Sequence, residues 1–331
     1  MSHERESMSR AFAVLLKAIF LGAILSSVAL AQTYPEKPIK MIVPYGAGGV
    51  DDTIGRIIGN KLAAVLGQPV VMEYHPGVGG TIGMGILARS APDGYTIAVA
   101  DSGQLAIAPN IYAKLPYDVA RDIAPVVNAV SSQRVLAIRS TLQAKTLQEL
   151  IAMAKAKPGS LTYSSVGTGS SVWLNMELFK SIAGINILQI PYKSSPASLN
   201  AILSGQVDMT VVHVSTVAPL AKAGKMRMLA TTSNRRLSVA PEVPTMAEAG
   251  VKGYSADIWV GIVAPAGTPK PIVDKLNSAI DGILKMPDIE QDFERTGYTP
   301  NGGTPEQFGA TIRADTEKFA VIINNAHIPR R

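Results

Sequence analysis

The chain has 331 residues, of which 47% are hydrophobic and 17% charged, with a formal net charge of +6 and no cysteine. That composition suits a globular chain long enough for two domains and excludes a disordered or collagenous one. Without cysteine there is no disulfide, iron–sulfur cluster, thiolate zinc or thiol catalysis, and the unclustered basic surplus argues against nucleic acid as a partner.

In chain order the first feature is a leader. Arg5, Arg10 and Lys17 precede an apolar run of thirteen residues, 18–30, that closes on Ala29, Leu30 and Ala31. Small residues at alternate positions after a short apolar run form a signal-peptidase site. At 1.5 Å per residue the run reaches about 20 Å, short of a hydrocarbon core of roughly 30 Å. The expectation is export to the periplasm with cleavage after Ala31, from a start at Met1 or Met8.

Strand-like and helix-like segments then alternate. Residues 40–43, 70–74 and 96–100 read as strands, 51–66 as a helix, and 83–89 as the start of another. The middle continues with strands at 135–138, 161–164, 188–190, 209–212 and 226–231, and helices at 147–156, 171–182, 195–203 and 217–223. Gly184, Gly205 and Gly224 stand where left-handed helix ends are expected. A strand at 258–263 and helices at 271–285 and 305–324 finish the chain. This rhythm predicts an α/β protein with mainly parallel sheets. No Gly/Ser linker divides it, which points to interwoven lobes: 32–127 with 254–331, and 128–253. The expected crossings lie near 126–131 and 235–253.

The chemistry is concentrated in glycine- and serine-rich loops between strand ends and helix starts. The first, Tyr45-Gly46-Ala47-Gly48-Gly49, opens a helix carrying Asp51 and Asp52. Glycines let a ligand approach the backbone, and the unpaired amides of a first helical turn attract anions. Either aspartate could instead cap that helix. Comparable loops are Gly77-Val78-Gly79-Gly80-Thr81, Asp101-Ser102-Gly103-Gln104 and Ser165-Val166-Gly167-Thr168-Gly169-Ser170-Ser171. In open α/β sheets, ligands gather where such loops converge.

Enzyme motifs fail. Gly46 and Gly48 with Glu73 imitate a dinucleotide fingerprint, but Asp51 occupies the third glycine position. There is no Walker lysine and no nucleophile elbow, and no two of His3, His75, His213 and His327 have metal-ligand spacing on one helix.

From Tyr34-Pro35-Glu36-Lys37-Pro38 through Val43-Pro44-Tyr45-Gly46-Ala47-Gly48-Gly49 and Asp52…Arg56, the chain resembles the Bug proteins, the solute receptors of tripartite tricarboxylate transporters. The likeness continues through Pro92-Asp93-Gly94-Tyr95, Leu115-Pro116-Tyr117-Asp118, Gly205-Gln206-Val207-Asp208, Trp259-x-Gly261 and Pro265-Ala266-Gly267-Thr268-Pro269. The resemblance implies a class II, two-lobed periplasmic-binding-protein-like fold with two crossover segments. It further implies a monomeric receptor that captures a small carboxylate by hinge closure and delivers it to integral membrane subunits. It carries no catalysis, cofactor or metal. The implied ligand residues are Tyr45, Gly46, Ala47, Gly48, Gly49, Asp52, Ser102, Gln104, Thr168, Gly169, Ser170 and Ser171. Trp173, where the family usually has His, and His213 are departures added to that set; a cleft-facing Trp173 would favour a bulkier or aromatic ligand. Lys193 is the nearby cation to watch. The rival readings are an exported hydrolase on the same fold and a ligand sensor feeding a kinase.

Overall fold

A computed structural model describes residues 34–254 and 256–330, so the leader reading of residues 1–31 lies outside the described residues. The strands are β1 (Ile39–Val43), β2 (Val70–Tyr74), β3 (Thr96–Asp101), β4 (Ile123–Ser132), β5 (Arg134–Arg139), β6 (Thr162–Ser165), β7 (Leu188–Pro191), β8 (Met209–His213), β9 (Met226–Thr231), β10 (Ile258–Pro265) and β11 (Tyr298–Gly302). The helices are α1 (Val50–Leu66), α2 (Thr81–Ala88), α3 (Ala108–Ile111), α4 (Val119–Asp122), α5 (Leu147–Ala156), α6 (Ser171–Ala183), α7 (Ser195–Leu203), α8 (Val214–Lys222), α9 (Lys270–Leu284), α10 (Pro287–Thr296) and α11 (Pro305–Asn325).

The strands form two sheets, β11-β4-β10-β3-β1-β2 and β7-β6-β8-β5-β9, one in each lobe. They are mixed, not mainly parallel. β1 runs parallel to β2 and β3, and β6 to β7 and β8. β10 lies antiparallel between β3 and β4, β11 is antiparallel to β4, and β5 is antiparallel to β8 and β9. The chain leaves the first sheet at Ser132 and enters the second at Arg134, so the first crossing is at Gln133, beyond the 126–131 segment expected for it. That segment is instead the body of β4. The return from β9 to β10 occupies residues 232–257.

Apolar spacing explains how the layers hold. On α1, Ile54, Ile58 and Leu62 recur every fourth residue and are fully buried, each contributing roughly 1.5–3 kcal/mol. Gly55 lets this helix sit close to the sheet, since a Cβ there would lie 2.7 Å from Met72 and 2.8 Å from Val99. α9 presents Val273, Leu276, Ile280 and Ile283 to the same core. A second core cluster runs from Ile42, Met84 and Ala98 in the first lobe to Leu136, Tyr163 and Phe179 in the second, joining the two. No helix among the described residues is long and apolar enough to cross a membrane.

Candidate functional site

The ends of β1, β3, β6 and β8 face one another across the gap between the sheets. They carry Tyr45, Asp101, Ser165 and His213 to the walls of a single cleft. Arg134 opens β5 and pairs in register with His213, while Tyr298 opens β11; both side chains join the lining. Four helices begin at the same place. Val50, Ser171, Ser195 and Ser215, each within the first two residues of its helix, line the cleft from α1, α6, α7 and α8. The positive ends of four helix dipoles therefore converge on one space, the arrangement that favours an anion. The cleft is narrow, about 130 Å³, and wider grooves lie elsewhere on the surface. Its distinction is chemical: buried, unpaired polar groups open onto it.

The lobes meet over this space. Gly46 N donates to the Lys193 carbonyl at 3.2 Å, the Tyr112 hydroxyl donates to the Thr168 carbonyl at 2.7 Å, and the Ser171 hydroxyl donates to Asp101 Oδ2 at 2.8 Å. Backbone also approaches backbone: an added Cβ on Gly167 would lie 2.8 Å from Gly79 N.

The charged groups in the cleft are unevenly satisfied. Asp101 accepts from Ser171 and, at 2.6 Å, from Gly103 N, and Arg134 Nη2 stands 3.9 Å from its Oδ2. Asp51 is 2% exposed and neither carboxylate oxygen has a hydrogen-bond partner. Burial, then the field of Asp101, pushes the Asp51 carboxyl well above the usual carboxylate range, with Arg134 opposing. Burial also raises Asp101, but Arg134, Ser171 and the Gly103 and Gln104 amides restrain it. Tyr45 is raised by burial and then by Asp101.

His213 stacks on Tyr298 with ring centroids 3.9 Å apart. Burial first, then Arg134, lowers it to about 3 against a smaller pull from the Gly297 carbonyl. Its Nδ1 lies 2.9 Å from Ser215 Oγ, while Nε2 has no partner of hydrogen-bond geometry. A triad base needs a carboxylate on its far nitrogen and a pKa near neutrality. This histidine has neither, so the Ser215 contact acts as a helix cap.

Asp51 also bears on stability. A buried ionisable group without partners costs about 1–3 kcal/mol, so ligand-free Asp51→Asn is expected to melt higher at neutral pH, by about 2–4 °C per kcal/mol recovered. The raised carboxyl binds a proton in the folded state at a pH where the unfolded chain does not. Wild type therefore gains stability as pH falls, and the gap closes toward about pH 4. Thermal melts across that range check it; an equal gap at both ends would contradict it.

Of the residues expected at the ligand, Tyr45, Gly48, Gly49, Ser171 and His213 line the cleft. The others lie outside that lining. Gly46 and Ala47 sit on the rim, outside the lining. Asp52 holds the first turn of α1: its Oδ2 accepts from Gly48 N at 2.7 Å, and its Oδ1 from Arg56 and Tyr74. Gln104 accepts from Asp101 N through Oε1, and Ser102 is fully buried outside the lining with an unpaired hydroxyl. Thr168 donates to Gln189, Gly169 lies under the Tyr112 ring, and Ser170 caps α6. Trp173 packs in the apolar core. It follows Ser171 by two positions, about 200° around the helix, so it faces away when Ser171 faces the cleft. The Lys193 side chain is exposed and only its carbonyl is engaged.

Arg134, Asp101, Ser165, Ser195, Thr210 and Tyr298 also line the cleft, and none of them is among the ligand residues the sequence suggests. Asp101 and Ser165 belong to two of the glycine- and serine-rich loops; Arg134, Ser195, Thr210 and Tyr298 lie outside them. Among the described residues, no group of three or more His, Cys, Asp or Glu side chains could hold a metal ion.

Known proteins share this architecture. The tripartite tricarboxylate transporter family receptor pattern matches residues 54–328. BugT of Bordetella pertussis (strain Tohama I) is 35% identical over 318 residues, 96% of this chain and 97% of that protein. The solved periplasmic binding protein BugD superposes with a TM-score of 0.86 at 31% identity, over 90% of this chain and 100% of BugD. Rpa4515 of R. palustris, solved with adipate, gives a TM-score of 0.86 at 30% identity, again over 90% and 100%. The chain belongs to the family of tripartite tricarboxylate transporter receptors.

Proposed function

We propose that the protein is an exported, monomeric receptor that encloses a small organic carboxylate between its lobes and hands it to integral membrane subunits. The observation that carries this reading is the convergence of four helix N-termini with Arg134 on one interlobe cleft. Amide donors there, together with one guanidinium, suit a desolvated carboxylate. The adipate seen with Rpa4515 supports the same ligand class. The lobes are joined at Gln133 and through residues 232–257, and those two connections serve as the hinge. Because both lobes touch the ligand only when closed, the ligand favours the closed form. Residues 1–31 are the leader that takes the chain to the periplasm.

The protein does no chemistry on its ligand. Among the described residues of the cleft, His213 is not a triad base: burial lowers it to about 3, and it is neutral at physiological pH.

A thermal-shift screen of the protein lacking residues 1–31 against small carboxylic acids tests the reading. A ligand at 100 times its dissociation constant is expected to add about 2.7 kcal/mol. A screen in which no acid stabilises the protein, with ester hydrolysis by the same preparation, would replace the receptor with a hydrolase.

A further inference from the structure

Asp51 has no structural task. Acidic residues favour the first turn of a helix, but Asp52 already meets that need for α1, accepting from Gly48 N and pairing with Arg56 at 2.8 Å. Asp51 lies one residue earlier, 2% exposed, lining the cleft with both oxygens unpaired. A carboxyl group stripped of water and given no partner costs stability. Such a group makes sense where an incoming molecule supplies the donor.

The neighbouring charges restrict that molecule. Asp101 faces the space from β3, Arg134 from β5 and His213 from β8, and the Tyr45 and Tyr298 hydroxyls lie in the same walls. With the histidine and tyrosines neutral, two carboxyls stand against one guanidinium. A dicarboxylate would bring two further negative charges to a space holding a single cation. A molecule with one carboxylate and one protonated amine meets each demand: helix-end amides and Arg134 for the first, Asp51 for the second.

Building on the receptor reading, we propose that the cleft selects an aminocarboxylate, whose carboxylate rests on the helix N-termini beside Arg134 and whose ammonium donates to Asp51. Asp51 is then the residue that sets specificity. An ammonium–carboxylate hydrogen bond in such a space is worth about 10–100-fold in affinity.

Calorimetric titration of the protein lacking residues 1–31 tests this with matched probes. β-Alanine is set against succinate, γ-aminobutyrate against glutarate, δ-aminovalerate against adipate, and the common α-amino acids against the acids lacking the amine. The expected result is that an aminocarboxylate binds at least about tenfold tighter than its counterpart. Asp51→Asn, which preserves shape, removes that preference. Tighter binding of a dicarboxylate by wild type, with proton uptake from buffer, would overturn the proposal and make Asp51 a proton donor to a second carboxylate. So would an aminocarboxylate preference that survives in Asp51→Asn. Binding by neither series would instead remove the receptor reading on which this proposal rests.

Discussion

Gly79→Ala is expected to fold and yet lose its ligand. Gly79 sits at φ +63°, and a Cβ there would run into the Thr168 carbonyl, with Ser170 N at 3.2 Å and the Gly169 carbonyl carbon at 3.4 Å. All three are backbone atoms of the opposite lobe and cannot swing aside as a flexible side chain would. Alanine in a left-handed conformation costs about 1–2 kcal/mol, which a fold stable by about 5–15 kcal/mol tolerates. The clash disappears when the lobes part, so the penalty falls on closure. If closure supplies even two charge-assisted hydrogen bonds, at about 1.5–3 kcal/mol each, their loss weakens binding by a factor on the order of 100 or more. Gly48→Val obstructs the other rim, where a Cβ would lie 2.7 Å from the Pro196 ring. Lys193→Ala is the control: its exposed side chain contributes a screened interaction well under about 1 kcal/mol. Titration with one ligand across the three variants checks the order. Wild-type affinity in folded Gly79→Ala, with a large loss in Lys193→Ala, would show that a direct ion pair, not lobe closure, holds the ligand.

The second large effect is expected from Arg134→Met. Arg134 is the cation whose field opposes the upward shift of both buried aspartates. Removing one partner of a buried charge cluster costs about 3–5 kcal/mol because the remaining charge stays desolvated. Here the carboxyls can escape by taking up protons. Their folded-state pKa values, already above the unfolded value near 4, rise further, so the deficit is largest at neutral pH and shrinks as pH falls toward about 4. Denaturant unfolding at several pH values measures it. A deficit that grows in acid would mean that Arg134 stabilises something other than these carboxylates.

The sequence speaks clearly where burial is periodic and poorly where it is not. α1, α6, α9 and α11 carry apolar residues at three- and four-residue spacing on one face, so their positions could be read within a residue or two of the observed ends. β4 escaped because Pro125, Asn128, Ser131 and Ser132 interrupt its apolar run, making it resemble a linker. β11 has only Tyr298 buried and contains Pro300; it is an edge strand paired with β4 alone, where proline is tolerated. α10 buries only Ile289 and Phe293, one turn apart, under an otherwise polar segment.

The candidate site divides the same way. Its glycine loops are visible because backbone that must approach a ligand or the other lobe needs glycine, and Gly48, Gly79, Gly167 and Gly169 all adopt positive φ. Which side chains enter the cleft is decided by helix phase and strand direction. Phase sends Ser171 inward and Trp173 to the core. Antiparallel strands that begin at the cleft, β5 and β11, deliver Arg134 and Tyr298 from segments with no glycine-rich loop to advertise them.

Small-angle X-ray scattering of the protein lacking residues 1–31, with and without saturating amounts of its tightest-binding acid, tests closure most directly. A cleft gripped from both lobes predicts a smaller radius of gyration when ligand is bound, and no such compaction in Gly79→Ala. One-to-one binding that leaves the wild-type radius of gyration unchanged would contradict it.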